Sequence, residues 1–109
     1  MAEPLLTQVF GPGATQTATT VTILKADLQT VGLTPSATNT AESLYVALLL
    51  LAGLYLTETN LNNNPEQQIF ISDGQEFVTT RNTQQYRQLV KNVNMQEIYN
   101  GLMIDPDNF

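Results

Sequence analysis

The hydrophobic positions of this chain concentrate in one block. Residues 43–56, SLYVALLLLAGLYL, are almost wholly apolar, whereas both flanks scatter single apolar residues among Thr, Asn and Gln. Leu and Ala favour helix, and Asn39 followed three residues later by Glu42 reads as a capping box. These signals predict a helix over 40–57, stopped by Asn60, Asn62, Asn63, Asn64 and Pro65. Apolar side chains point in every direction around it, where an ordinary surface helix keeps a polar face. The pattern therefore predicts cover on two sides. A sheet would supply one, and the other would come from the N-terminal segment or from another subunit, with the second favoured.

Outside this block the period is two. TVTILKADL over 20–28 alternates as a strand that ends near Asp27 and Leu28,. Residues 1–20 read as an extended arm or first strand, with GPGATQTATT as loop chemistry, and Gly32 and Pro35 mark a connector over 29–39,. After Pro65, QQIFISDGQEFVTTR places β-rich runs on either side of Asp73-Gly74, a pair favoured in type I′ hairpin turns,. Residues 81–84 predict a second turn. The run QQYRQLVKNVNMQEIY over 84–99 alternates as a strand; Tyr86, Leu89, Val90, Val93 and Ile98 also fit a helical spacing, but the Asn and β-branched content favours strand,. GLMIDPDNF predicts a turn and an extended end. The fold class is α+β: one domain over 1–109, with a single central apolar helix packed on a small antiparallel sheet, antiparallel hairpins over 68–99, an extended N-terminal arm and a C-terminal tail.

Composition changes this picture mainly by exclusion. Charged residues make up 13% of the 109, about half the common ~25%, while 15 Thr, 10 Asn and 10 Gln supply neutral polarity. Such a surface adheres through short hydrogen bonds and close packing rather than long-range fields. Four cations stand against ten carboxylates, for a net charge of −6, which argues against nucleic acid as a partner,. With no Cys and no His, disulfides, zinc-thiolate sites and Ser-His-Asp catalysis are excluded,. The apolar run from Leu44 to Leu56 would span roughly 20 Å, short of the ~30 Å hydrocarbon core, and has no Lys or Arg beside it, which argues against a membrane partner,. The first residues lack the pattern of a secretory signal.

Candidate chemistry is sparse. Asp105-Pro106-Asp107-Asn108 begins like a calcium loop but lacks the Gly and Glu that would complete it,. GPGAT has two glycines without the Lys-Ser/Thr of a phosphate loop,. Asp73 and Glu76 are expected to be exposed beside a turn. Arg81, Arg87 and Lys91 form the one stretch with positive excess, expected to balance carboxylates across the sheet or on a neighbouring copy,. The expectation is a protein that is not an enzyme and takes no cofactor or metal. Its candidate interface residues are Leu5, Val9, Phe10, Leu44, Leu48, Leu51, Tyr55 and Phe109.

Three segments together, TATTVTILKADL, GLTPSATNTAESLYVALLLLA and TTRNTQQYRQLVKNVNMQEIY closing on IDPDNF, resemble small structural proteins of cyanobacterial phages and prophages. The resemblance implies a multi-copy building block of the virion, a capsid cement protein or a neck, tail or baseplate component. It implies protein partners, both further copies of the chain and other virion subunits. A small protein-binding adaptor of the host cytoplasm, recruiting its partner through a sheet edge, is the alternative, and an enzyme working through carboxylates alone is a third.

Overall fold

The computed structural model describes residues 3–99 and 103–109, and within them the fold is α+β. In chain order the elements are helix α1 (Leu6–Phe10), a two-residue hairpin of β1 (Thr15–Gln16) and β2 (Val21–Thr22), and a 3-10 helix (Lys25–Val31). Helices α2 (Ala41–Tyr55) and α3 (Glu58–Asn63), strands β3 (Ile69–Arg81) and β4 (Gln84–Met95), and a 3-10 turn (Pro106–Asn108) follow. The strands form two separate antiparallel pairs, β1 with β2 and β3 with β4.

The central helix forms where expected, with its cap moved by one residue. Thr40 is the N-cap, and its Oγ1 accepts a hydrogen bond from the Ser43 amide at 3.1 Å. Asn39 instead closes the preceding loop, accepting from the Ser36 amide and donating to the Thr34 carbonyl. The helix stops at Tyr55, earlier than the Asn run. Thr57 takes an extended conformation and caps α3 through Oγ1, so the predicted stop signals themselves become helical in α3. Asn60 reaches back to donate to the Tyr55 carbonyl at 2.7 Å, satisfying one of the orphan acceptors at the end of α2,.

The N-terminal third departs from the expected arm and strand. Pro4 restricts its predecessor but leaves the residues after it free, and α1 follows, with Gln8 Oε1 accepting from the Leu5 amide,. The strand over 20–28 shrinks to Val21–Thr22 because Asp27 is tied elsewhere: its carboxylate accepts from the Gly13 amide at 2.7 Å. The chain then winds as a 3-10 helix, which places Leu28 and Val31 above one another toward α2,. Gly32 ends it with φ of 100°. Leu28, Ala47 and Leu51 form the core, flanked by Val31, Leu33, Leu44 and Leu48.

The long hairpin also differs from expectation in one respect. Asp73-Gly74 is not a turn but an irregularity inside β3, where the register shifts between Asp73 and Glu76. Gly74 is required for space: a Cβ there would lie 2.7 Å from Val90 Cγ1 across the strands. The reversal falls at Asn82-Thr83, where φ is 50° and 64°, as a two-residue primed turn demands,. The run from Gln84 to Met95 is strand, not helix. The C-terminal end folds back rather than extending: Asp105 caps Pro106–Asn108, and Glu97 Oε2 accepts from the Asp105 amide and Asn108 Nδ2. The expected turn at Gly101 and Leu102 lies outside the described residues.

One corner joins helices to ribbon. The buried Leu56 offers its carbonyl to the Ile71 amide at 2.8 Å. Gln67, 3% exposed, donates through Nε2 to the carbonyls of Thr57 and Ile69. Replacing Gln67 by Leu removes both bonds, although the Thr57 carbonyl keeps its bond from the Leu61 amide, so we expect a loss of about 1 kcal/mol in urea unfolding,; an unchanged midpoint would show that the corner holds without it. Thr83→Gly relieves a β-branched residue at positive φ and should raise stability by about 1 kcal/mol in the same assay,.

Candidate assembly surface

Helix α2 has two apolar faces, and the chain covers one. The face carrying Leu44, Ala47, Leu48 and Leu51 lies against the 3-10 helix and the loop after it, with Leu51 buried. The opposite face carries Val46, Leu49, Leu50 and Gly53, with Tyr45 and Leu54 on its two borders, on opposite sides of the helix axis,. The ribbon approaches this face in two places: Ile71 lies over Gly53, where an added Cβ would sit 3.8 Å from its Cγ2, and Leu50 shares a groove with Asp73, Glu76, Arg87 and Leu89. Tyr45 is 70% exposed and Leu54 65%. A groove of about 460 Å³ runs between this face and the ribbon base, lined by Leu49, Leu50, Leu54, Ile71, Asp73 and Lys91 among others.

The candidate interface residues divide accordingly. Leu44, Leu48 and Leu51 belong to the chain's own core rather than to an open surface, because the N-terminal segment folds over them. The exposed large apolar residues of α2, Tyr45, Val46 and Leu54, are ones that were not singled out. A helix apolar all round gives no sequence signal for which side its own chain will cover. Val9, Phe10 and Phe109 come together, half-buried, along a second groove of about 450 Å³ with Leu56, Gln67 and Ile69. Leu5 is exposed, and the half-buried Tyr55 lines a shallow groove beside it.

The β3–β4 ribbon leaves the body. Every residue from 73 to 89 is exposed except the partly covered Thr79, so both faces are open. The register puts Glu76, Val78, Arg87 and Leu89 on one face, and Phe77, Thr79, Tyr86 and Gln88 on the other,. Charges on the first face are closed within the chain. Arg87 makes a two-pronged contact with Glu76, at 2.6 and 3.1 Å, and Lys91 pairs with Asp73. On the second face the Arg81 guanidinium stacks 4.8 Å from the centre of the Tyr86 ring. Asp73 and Glu76 are thus exposed, as expected, and engaged by cross-strand cations.

Among the described residues no three of His, Cys, Asp and Glu cluster closely enough to hold a metal ion. In the GPGAT loop the Gly13 amide, which an anion would need, already serves Asp27. By length and composition the stretch Ala41–Asn63 could cross a membrane. The α2 helix within it, however, ends at Tyr55 after 15 residues, about 22 Å, and the polar α3 begins at Glu58 after a break at Leu56 and Thr57,. No family model matches the chain, and no curated protein or solved structure is similar to it.

The Arg87 guanidinium holds the Glu76 carboxyl below its ordinary value, first through the hydrogen bond and then through its charge. The stabilisation is therefore present above the ordinary glutamate range and fades as pH falls through the depressed value. Both groups are exposed, so the effect is small and weakened by salt. In Arg87→Gln the Glu76 carboxyl should titrate at its ordinary value by carbon-detected NMR; a titration identical to the parent protein would mean that the pair does not form in solution.

Proposed function

We propose that this chain is a non-enzymatic structural protein that works as one of many copies, an assembly component of a virion that binds neighbouring capsid or tail subunits. One observation carries the reading: the folded chain presents too much surface. Its accessible area is 8203 Å² for 12.0 kDa, where a folded monomer of this mass presents about 6,000 Å². The radius of gyration, 16.2 Å, likewise exceeds the ~13 Å of a compact domain of this length.

The excess is apolar in large part, since Tyr45, Val46, Leu54, Val78 and Leu89 are all exposed. Single exposed apolar residues are ordinary, but contiguous ones on a helix face and a protruding ribbon mark contact surfaces. An isolated two-stranded ribbon is marginal in water, so a ribbon of this length calls for a partner. The resemblance of three segments to phage structural proteins supports the virion as its setting.

A second reading, a cellular adaptor that adds a peptide strand to a sheet edge, draws on the ribbon's outer edges, which carry no proline from Ile69 to Met95,. Quantitative mass spectrometry of purified particles separates the two. The proposed role predicts the protein at many copies per particle; its absence from particles, with recovery of host proteins on the tagged chain, would favour the adaptor.

A further inference from the structure

The charges of the β3–β4 ribbon sort by face. Asp73, Glu76, Arg87 and Lys91 share the face toward α2, where they pair with one another beside Leu50. The opposite face, turned away from the body, carries no carboxylate and a single cation, Arg81,. Phe77, Thr79, Tyr86 and Gln88 lie on the same face, with both aromatic rings exposed. The Arg81 guanidinium rests on the Tyr86 ring, 4.8 Å from its centre, and makes no ion pair or hydrogen bond among the described residues. Every other cation is engaged: Arg87 by Glu76, Lys91 by Asp73, and Lys25, whose Nζ donates to the Ser36 carbonyl.

An aromatic and amide surface around one free guanidinium has the composition of an interface centre, where Arg, Tyr and Phe are enriched and Lys, Asp and Glu depleted. Stacking on Tyr86 also orders the guanidinium beforehand, so less freedom is lost when it pairs.

We infer that this face of the ribbon docks on the helical body of a second copy of the chain, where an exposed carboxylate receives Arg81. The inference rests on the assembly role proposed above and adds the surface, the partner and the anchoring residue.

Charge selects the occupant. The body presents Glu42, Glu58 and Glu66, all exposed and none engaged through its carboxylate, and it has no free cation. Arg81 faces away from its own body, so the pairing is made between chains,. Two ribbons stacked through these same faces would bury Arg81 against a surface with no carboxylate, leaving its charge uncompensated,. Nucleic acid is a poor occupant as well, because one free cation cannot neutralise several phosphates. The contact is therefore head-to-tail, ribbon on body, and repeats from copy to copy into a ring or a filament, as a many-copy component requires.

A charge swap tests the contact by sedimentation velocity. Arg81→Glu should keep the circular dichroism spectrum, since the side chain is exposed, and weaken self-association about tenfold or more,. Mixing that variant with Glu42→Lys, Glu58→Lys or Glu66→Lys chains should restore association with one of the three, because a reversed ribbon then meets a reversed body. A variant damaged in its fold is not restored by mixing, so restoration separates docking from instability. Arg81→Glu that associates like the parent, or a loss that none of the three mixtures restores, overturns the contact and leaves the assembly role standing. A parent chain that is strictly monomeric at high concentration overturns the contact too, and the composition of purified particles then decides the assembly role alone.

Phe77→Thr provides a measurement independent of charge. The change keeps a β-branched residue in the strand and removes an exposed ring from the docking face,. Self-association should weaken about tenfold; association unchanged from the parent protein overturns this face as the docking surface.

Discussion

A helix that is apolar around its whole circumference has to be covered around its whole circumference, and the rest of this structure follows from how α2 meets that demand. The inner side is served from the N-terminal segment: Leu28 and Val31 of the 3-10 helix, then Leu33, lie against Leu44, Ala47, Leu48 and Leu51. That service explains why the N-terminal third is not an arm. Its short helices and two-residue hairpin are too small to stand alone, and hold their shape because Asp27 ties the 3-10 helix to the Gly13 loop while α1 packs on α2. The outer side is covered in part, by Ile71 over Gly53 and by the ribbon residues that share a groove with Leu50.

The corner at Leu56 and Thr57 decides where the remaining chain goes. By ending α2 at Tyr55, Thr57 turns the backbone so that Leu56 can bond Ile71, and Gln67 fills the angle with hydrogen bonds to both sides. From that point β3 and β4 extend over 13 and 12 residues, longer than the helix they start from needs for cover. Strands placed this way cross the end of α2 and continue into solvent. A ribbon exposed on both faces and a helix exposed on one are thus two consequences of the same corner.

Much of this was legible in the residues. Helix α2 was plain from its Leu and Ala content, the α+β class from the change of period after Pro65, and the strand over 84–95 from its Asn and β-branched residues. Arg87 and Lys91 indeed balance carboxylates across the strands. What was not legible depended on contacts between distant positions. Asp73-Gly74 reads as a turn locally, yet Val90 needs the space Gly74 leaves, and the chain reverses only at Asn82-Thr83, inside the turn that was legible over 81–84. Asp27 reads as the end of a strand until Gly13 claims it. The stripe of Leu44, Leu48 and Leu51 reads as well for an interface as for a core, because the sequence carries no polar face to tell inside from outside. The composition did signal the more general property, a neutral polar chain with more apolar helix than one small sheet can bury.

The central claim is that this fold is incomplete as a monomer, and the dependence of stability on protein concentration tests it most directly. If association supplies the missing cover, unfolding is linked to dissociation. The denaturant midpoint, followed by circular dichroism over a hundredfold range of concentration, should then rise steadily with concentration. A midpoint that stays constant across that range, with a single cooperative transition, would contradict the account, because the chain would be completing its fold alone.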